Sequence, residues 1–254
     1  MQYQSDILID KFINEIIFQN KRNGFFVEIG SLDGIIFSNS FIFEKYLGWD
    51  GVCVEPDPRW HEHIKQNRSC KLSFDVISDI SDETLDFCLH KNGGESFVKT
   101  EMREWIQQDD IVDTIKVKTQ TLSDLLKSFN SPKLIDWISI DTEGSELKIL
   151  SQFLNDNTYE SNFINIEHTG TKNIDRIFKN HNYVRIYSPF LNLFKFDPIT
   201  HHTLRLNKHG QYCDLGDNIV ESNYLNLDDI NYEHYFINKT YLKNNPHLNK
   251  FIIK

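Results

Sequence analysis

Acids and glycines recur along this chain at intervals that suit a polar small-molecule site. Glu28-x-Gly30-x-x-x-Gly34, then Glu55, Asp75, Asp141 with Glu143, and Glu167 with His168 stand at or near the ends of apolar runs. In an open parallel sheet the ligand lies beyond the carboxyl ends of the strands, so side chains at such positions reach it. Gly30 and Gly34 would let the backbone turn tightly and approach a ligand with no Cβ in the way. Glu55 is placed to accept hydrogen bonds from both hydroxyls of a ribose, with Pro56 behind it, and Asp75-Val76 could receive an adenine amino group. Ser31, Asp33, Ser38 and Asn39 complete the candidate contacts of the first turn. That turn, Gly30-Ser31-Leu32-Asp33-Gly34, is not the GxGxxG pattern that seats a pyrophosphate on a helix N-terminus. It suits a nucleoside without phosphate, where acids can crowd a sulfonium cation; Glu28 and Asp33 also read as ordinary turn and helix-start acids.

The elements that must position these residues alternate between strand and helix. Ile7, Leu8, Phe12, Ile13, Ile16 and Ile17 predict an amphipathic helix over 5–20, with Ser5 or Asp6 as N-cap. Gly24 to Gly30 reads as a buried strand, Ser38 to Leu47 as a helix, Gly51 to Pro56 as a second strand and Arg59 to Asn67 as its helix. A third strand is expected over Lys71–Ile77 with Asp75 near its end, and strand pieces over Thr84–Leu89 and Ile115–Thr119. Thr121–Phe129 looks helical, Leu134–Ile140 is a strand delivering Asp141, Leu147–Leu154 a helix, and Phe163–Ile166 a strand delivering Glu167 and His168. Ile174–Asn180 follows as a short helix. This alternation implies parallel βαβ units with right-handed crossovers, an α/β fold. Tyr183–Tyr187 and Leu193–Phe196 could close it as a hairpin, leaving an antiparallel strand at the edge. Residues 1–197 form the expected domain, and 198–254 an extension of unknown role packed on or beside it.

Composition narrows the partners. The 254 residues suffice for one large core. A net charge of -10 disfavours nucleic acid, because an acidic surface repels a polyanion. Cys53, Cys70, Cys88 and Cys213 show no CxxC pair or zinc spacing, which reads as reduced thiols in a cytoplasmic protein. No leader pattern stands at the N-terminus, and no segment approaches the roughly 18 to 20 apolar residues that span a bilayer. The expected partner is a small-molecule or glycan acceptor, and homo-oligomers are compatible with the sequence.

Several stretches together resemble the FkbM-type methyltransferases. They are Tyr3 to Leu8, Gly24 to Gly34, Ser38-Asn39-Ser40, Leu47 to Pro56, Asn67-Arg68 and Ile138 to Leu147 with its Asp141-Thr142-Glu143-Gly144 turn. The likeness runs from about residue 3 to residue 197 and leaves the tail unmatched. It implies a class I, Rossmann-like methyltransferase fold with a mostly parallel seven-stranded sheet. It also implies S-adenosyl-L-methionine as cofactor and O-methylation of a hydroxyl, often on a sugar or polyketide.

Transfer to oxygen is an in-line displacement that needs the hydroxyl aligned opposite sulfur and its proton removed. His168 could take that proton with Glu167 or Asp141 orienting it, and Glu143 lies at the same turn. Asp141, Glu167 and His168 could instead hold a divalent cation such as Mg. That layout resembles the metal site of catechol O-methyltransferases, with a Glu-His pair where that family shows Asp-Asn. Glu143 and Glu146 also read as first-turn helix acids. Lys91 to Asp113, with Gly93-Gly94, Ser96 and Trp105, reads as a lid over the acceptor. Trp49, Trp60 and Trp105 are stacking candidates or core, and His201, His202 and His209 read as surface residues. Two other classes stay open: a nicotinamide-dependent oxidoreductase, which would use Glu55 equally well, and a non-catalytic glycan- or protein-binding module.

Overall fold

A computed structural model describes residues 2–5, 7–103, 106–167, 172–178, 180–190, 194–196, 203–206, 212–213, 225–226 and 233–253. The apolar runs do become strands. In chain order the main sheet takes β1 (Phe25–Ile29), β2 (Asp50–Val54) and β3 (Lys71–Ser73). A smaller sheet takes β4 (Val76–Ser78), β5 (Thr84–His90), β6 (Phe97–Val98) and β7 (Ile111–Thr121). The main sheet resumes with β8 (Leu134–Ile140), β9 (Glu160–Glu167) and β10 (Tyr183–Ile186). A third sheet takes β11 (Phe194–Phe196), β12 (Thr203–Leu206), β13 (Tyr212–Cys213) and β14 (Leu225–Asn226), after which β15 (Glu233–Asn238) returns to the main one.

The seven strands lie in the order β10-β15-β9-β8-β1-β2-β3. The pairs β3-β2, β2-β1, β1-β8 and β8-β9 are parallel, and β15 runs antiparallel to both its neighbours. This is the expected α/β sheet, mostly parallel with an antiparallel pair at one edge. The partner of Tyr183–Ile186 is β15, whereas the hairpin expected with Leu193–Phe196 does not form because that segment pairs with β12 and β14. The strand expected over Lys71–Ile77 is two strands: β3 stays beside β2, and β4 leaves to pair parallel with β7.

Period-two alternation sorts the core into two layers. Phe26, Cys53, Trp137, Phe163, Tyr235 and Ile237 face one side, packed under α1 (Ile9–Phe12), which continues as a π-helical turn over Ile13–Ile17. α2 (Phe41–Leu47) and Ile64 of α3 (His61–Asn67) cover the same face, with Leu242 of a helix over Lys239–Asn244. Val27, Ile29, Val54, Ile138, Ile140, Ile164 and Phe236 face the other side, under α4 (Leu122–Ser128), α5 (Glu146–Asp156) and α6 (Lys172–Phe178). Covered on both faces, β1 has no exposed position, which is why it reads as an unbroken apolar run interrupted only by Glu28. Glu28 points to the α2 side and is satisfied there. Its carboxylate accepts from the Ser38 and Ser40 hydroxyls and the Asn39 amide, and ion-pairs with Arg68 at 3.4 Å. No helix among the described residues is long and apolar enough to cross a membrane.

Candidate active site

The carboxyl ends of β1, β2 and β8 open onto a cleft of about 760 Å³, counting the part continuous with solvent. The smaller sheet supplies the facing wall through Val76, Phe87 and Val98. Gly30 forms the floor. Its φ is +87°, and a Cβ there would lie 2.0 Å from the Asp141 carbonyl oxygen, so the turn can pass this close to β8 only as glycine. The Gly30 amide donates to the Val54 carbonyl at 3.0 Å and the Asp141 amide to the Ile29 carbonyl at 3.0 Å, which locks the three strand ends in register.

At one end of the cleft stands Glu55, 4% exposed. Its carboxylate accepts from the Leu32 amide at 2.7 Å and the Asp57 amide at 2.8 Å. Burial pushes its pKa up to about 7, the two amides and the Ser31 amide pulling the other way. At the other end lie Asp141 and Glu143. Asp141 Oδ1 is enclosed with no hydrogen-bond partner. Burial, then the neighbouring charges of Glu167 and Glu143, hold this carboxyl well above the usual range, with Arg103 opposing. Glu143, at φ +58°, is pushed up to about 7 by burial against the pull of Arg103. Non-glycine residues with positive φ also include Leu32 and Phe37, so three such positions line this cleft, as strain stored at functional sites would.

Arg103 comes from the stretch that reads as a lid. It reaches Glu143 at 2.8 Å and Glu146 at 3.4 Å. Beside it, Glu101 ion-pairs with Lys148, and a Cβ on Gly144 would lie 2.5 Å from the Glu101 carbonyl oxygen. At the other end of the stretch, Arg59 holds Asp57 bidentately and donates to the His90 carbonyl and the Ser96 hydroxyl, while Trp60 donates to the Gly93 carbonyl at 2.9 Å. Gly93, Gly94 and Ser96 thereby line the cleft.

Of the sequence candidates, Gly30, Asn39, Glu55, Pro56, Val76, Asp141 and Glu143 come together on the cleft wall. Glu28, Ser31, Asp33, Gly34, Ser38 and Asp75 do not line it. Glu28 and Ser38 bond each other, the Ser31 hydroxyl donates to the Glu28 carbonyl, and Asp33 accepts from the Ile35 and Ile36 amides. Gly34 packs against Arg68, and Asp75 sits half-buried before Val76. Glu167 stands beside the cleft: Asp141, Glu143 and Glu167 each offer a carboxylate oxygen within 4.8 Å of the others, an all-oxygen set of the kind a hard divalent cation takes. His168, Trp105, His201, His202 and His209 lie outside the described residues. Trp49 is core, edge-on to Phe18 and Phe43, and Trp60 pins Gly93. Sequence reasoning missed Ile36, Phe37 and Arg103. The signal for Arg103 was indirect: four acids at the ends of β8 and β9 and the start of α5 call for a cation that no motif supplies.

No curated protein matches this chain. Among solved structures it is similar to the METTL16 methyltransferase domain, at 13% identity and a TM-score of 0.37, covering 67% of this chain and 54% of that one. This chain therefore spans about half of that domain's length. It is also similar to precorrin-6y C5,15-methyltransferase from Geobacter metallireducens GS-15, at 11% identity and a TM-score of 0.40, covering 91% and 85%. A third similarity is to the human methyltransferase 10 domain containing protein, at 11% identity and a TM-score of 0.35, covering 71% and 75%. The fold assignment rests instead on strand order and on the family model for the methyltransferase FkbM domain, which matches residues 28–188 and so takes in Gly30, Glu55, Asp141 and Glu143. The chain belongs to the FkbM methyltransferase family.

Proposed function

We propose that this protein transfers the methyl group of S-adenosyl-L-methionine to a hydroxyl oxygen of a carbohydrate or related small-molecule or glycan acceptor. The observation that carries this reading is the pairing of Glu55 at one end of a single cleft with the Asp141–Glu143 carboxyls at the other. Glu55 accepts the ribose hydroxyls, with Pro56, Val76 and Ile77 beside the base, and the Gly30 turn leaves room for the methionyl part. The sulfonium then lies toward Asp141, whose enclosed oxygen favours positive charge. When bound, the cofactor supplies the electrophilic methyl.

The protein's part is alignment and proton removal. A carboxyl tuned to about 7 can accept a proton near neutral pH, which makes Glu143 a general base in addition to His168. Arg103 holds Glu143 in place. A divalent cation held by Asp141, Glu143 and Glu167 would favour the alkoxide instead.

Incubation with labelled S-adenosyl-L-methionine and a panel of sugars and glycans tests the reading. The expected product carries the label as an O-methyl ether, and Glu55→Ala slows its formation about 100-fold at subsaturating cofactor. Binding of S-adenosylhomocysteine without transfer to any hydroxyl acceptor would leave a non-catalytic module as the answer. Loss of activity on chelation, restored by Mg, would assign the acids to a cation.

A further inference from the structure

The residues that follow β2 present Glu55 to the cleft and also fasten the wall opposite. Asp57 has a fully buried carboxylate. It holds the Arg59 guanidinium with both oxygens and accepts from the Ser96 hydroxyl at 2.8 Å. Arg59 reaches on to the His90 carbonyl at 2.8 Å, and the His90 amide donates to the Ser96 hydroxyl oxygen at 3.1 Å. Trp60 donates to the Gly93 carbonyl, and its ring lies so close that a Cβ on Gly93, at φ +75°, would stand 2.7 Å from it. Among the described residues, Asp57, Arg59 and Trp60 do not line the cleft, whereas the turn they grip, between β5 and β6, does so through Gly93, Gly94 and Ser96. Gly94 differs from Gly93. Its φ is not positive, and a Cβ there would meet no atom within 4 Å, so neither backbone conformation nor packing within the protein calls for glycine. What the missing side chain leaves is free room against bare backbone on the cleft wall, at the Glu55 end.

We propose that the Gly93–Ser96 turn is the outer wall of the adenosyl site, with the cofactor lying against the Gly94 backbone, and that Asp57, Arg59 and Trp60 are positioning residues that hold this wall in register with Glu55. This rests on the methyl-transfer reading for the identity of the cofactor. It gives this end of the stretch that reads as a lid to the cofactor, while the Arg103 end stays with Asp141 and Glu143. The Asp57 amide donates to Glu55 at 2.8 Å, so the ribose acid and the anchor of the wall are set by one short piece of backbone. A wall fixed in advance in this way loses little freedom when the ligand enters, which strengthens binding without any direct contact from the three residues that hold it.

Calorimetry with S-adenosylhomocysteine on the unmutated protein, Asp57→Asn and Gly94→Val tests the assignment, together with amide hydrogen exchange read on peptides covering residues 90–98. Asp57→Asn should weaken binding about tenfold by releasing the charged hydrogen bonds that hold the turn. Gly94→Val should weaken it about tenfold by filling the ligand's room, while leaving the unliganded Tm unchanged because nothing in the protein stands there. In the unmutated protein the ligand should slow exchange over residues 90–98, and Asp57→Asn should lose that protection, a signature that a merely structural role for Asp57 would leave in place. If Asp57→Asn fails to fold, Gly94→Val and the exchange of the unmutated protein still decide. Binding by a folded variant as tight as that of the unmutated protein, or ligand binding with no change in exchange over residues 90–98, overturns this inference and leaves the cofactor reading standing. Failure of the unmutated protein to bind S-adenosylhomocysteine at all overturns the cofactor reading, and this inference with it.

Discussion

Glu55 and Asp141 are both carboxylates at the carboxyl ends of strands that flank β1, yet they meet opposite fates. Glu55 has two backbone amides fixed on it and can take a ligand's hydroxyls without rearrangement. Asp141 keeps an oxygen without a donor and stands among other acids. One end of the cleft is organised by hydrogen bonds already made. The other is a group of carboxyls whose protonation is shifted upward by burial and by one another, with Arg103 opposing. The difference teaches two ways a strand-end carboxylate is set: backbone amides fix the geometry of one, whereas burial among like charges shifts the protonation of the other.

For the proposed reaction the largest effect should come from the Asp141–Glu143 end. Glu143→Gln is expected to lower kcat by about 10³-fold while leaving the S-adenosylhomocysteine Kd within about threefold. Stopped-time methyl transfer and calorimetry measure the two, and equal damage to both would erase the division between the ends. Next, Glu55→Ala should weaken S-adenosylhomocysteine binding by about 100-fold, from loss of charge-assisted hydrogen bonds worth roughly 3 kcal/mol.

Protonation sharpens the contrast further. In the proposed cofactor complex ribose hydroxyls donate to the charged form of Glu55, whose pKa is pushed up to about 7, so affinity should rise about tenfold per pH unit up to pH 7 and level off above it. The unliganded fold shows the reverse sign. A buried acid raised from 4.5 to about 7 carries no penalty below pH 4.5 and costs about 3 kcal/mol once the pH has passed 7, so this contribution destabilises as pH rises. Urea midpoints and calorimetry across that range would show opposite slopes; parallel slopes would remove Glu55 from the ribose site. The smallest effect belongs to Lys148→Ala. Its pair with Glu101 is exposed on the lysine side, so the loss should stay under about 1 kcal/mol, a Tm change of less than about 4 °C.

The parallel sheet and the Glu55 end were legible because each depends on a short run of residues. An apolar strand, a glycine and an acid carry their own geometry, and Gly30, Glu55 and Asp141 arrive where the βαβ pattern puts them. The Asp141–Glu143 end was only half legible. Arg103 reaches Glu143 from forty residues away, on a stretch with no regular period, and nothing near Glu143 announces it. Ile36 and Phe37 escaped for another reason: they stand in the turn ahead of the helix expected from Ser38, where no period marks them, and both are exposed, Phe37 on backbone at positive φ. The split of Lys71–Ile77 was hidden as well, because Phe74 and Asp75 break the ladder without any glycine or proline to mark it.

The position of β15 has a consequence in time. Glu233–Asn238 separates β9 from β10 and is the partner of both, so β10 stays unpaired and one edge of β9 stays open until that strand has been made. At the usual pace of synthesis, about 5–20 residues per second, the edge of β9 ending in Glu167 stays open for several seconds on the ribosome. An open strand edge is a template for unwanted pairing. The chain's order of synthesis thus leaves the edge beside Glu167 as one of the last parts of the main sheet to close.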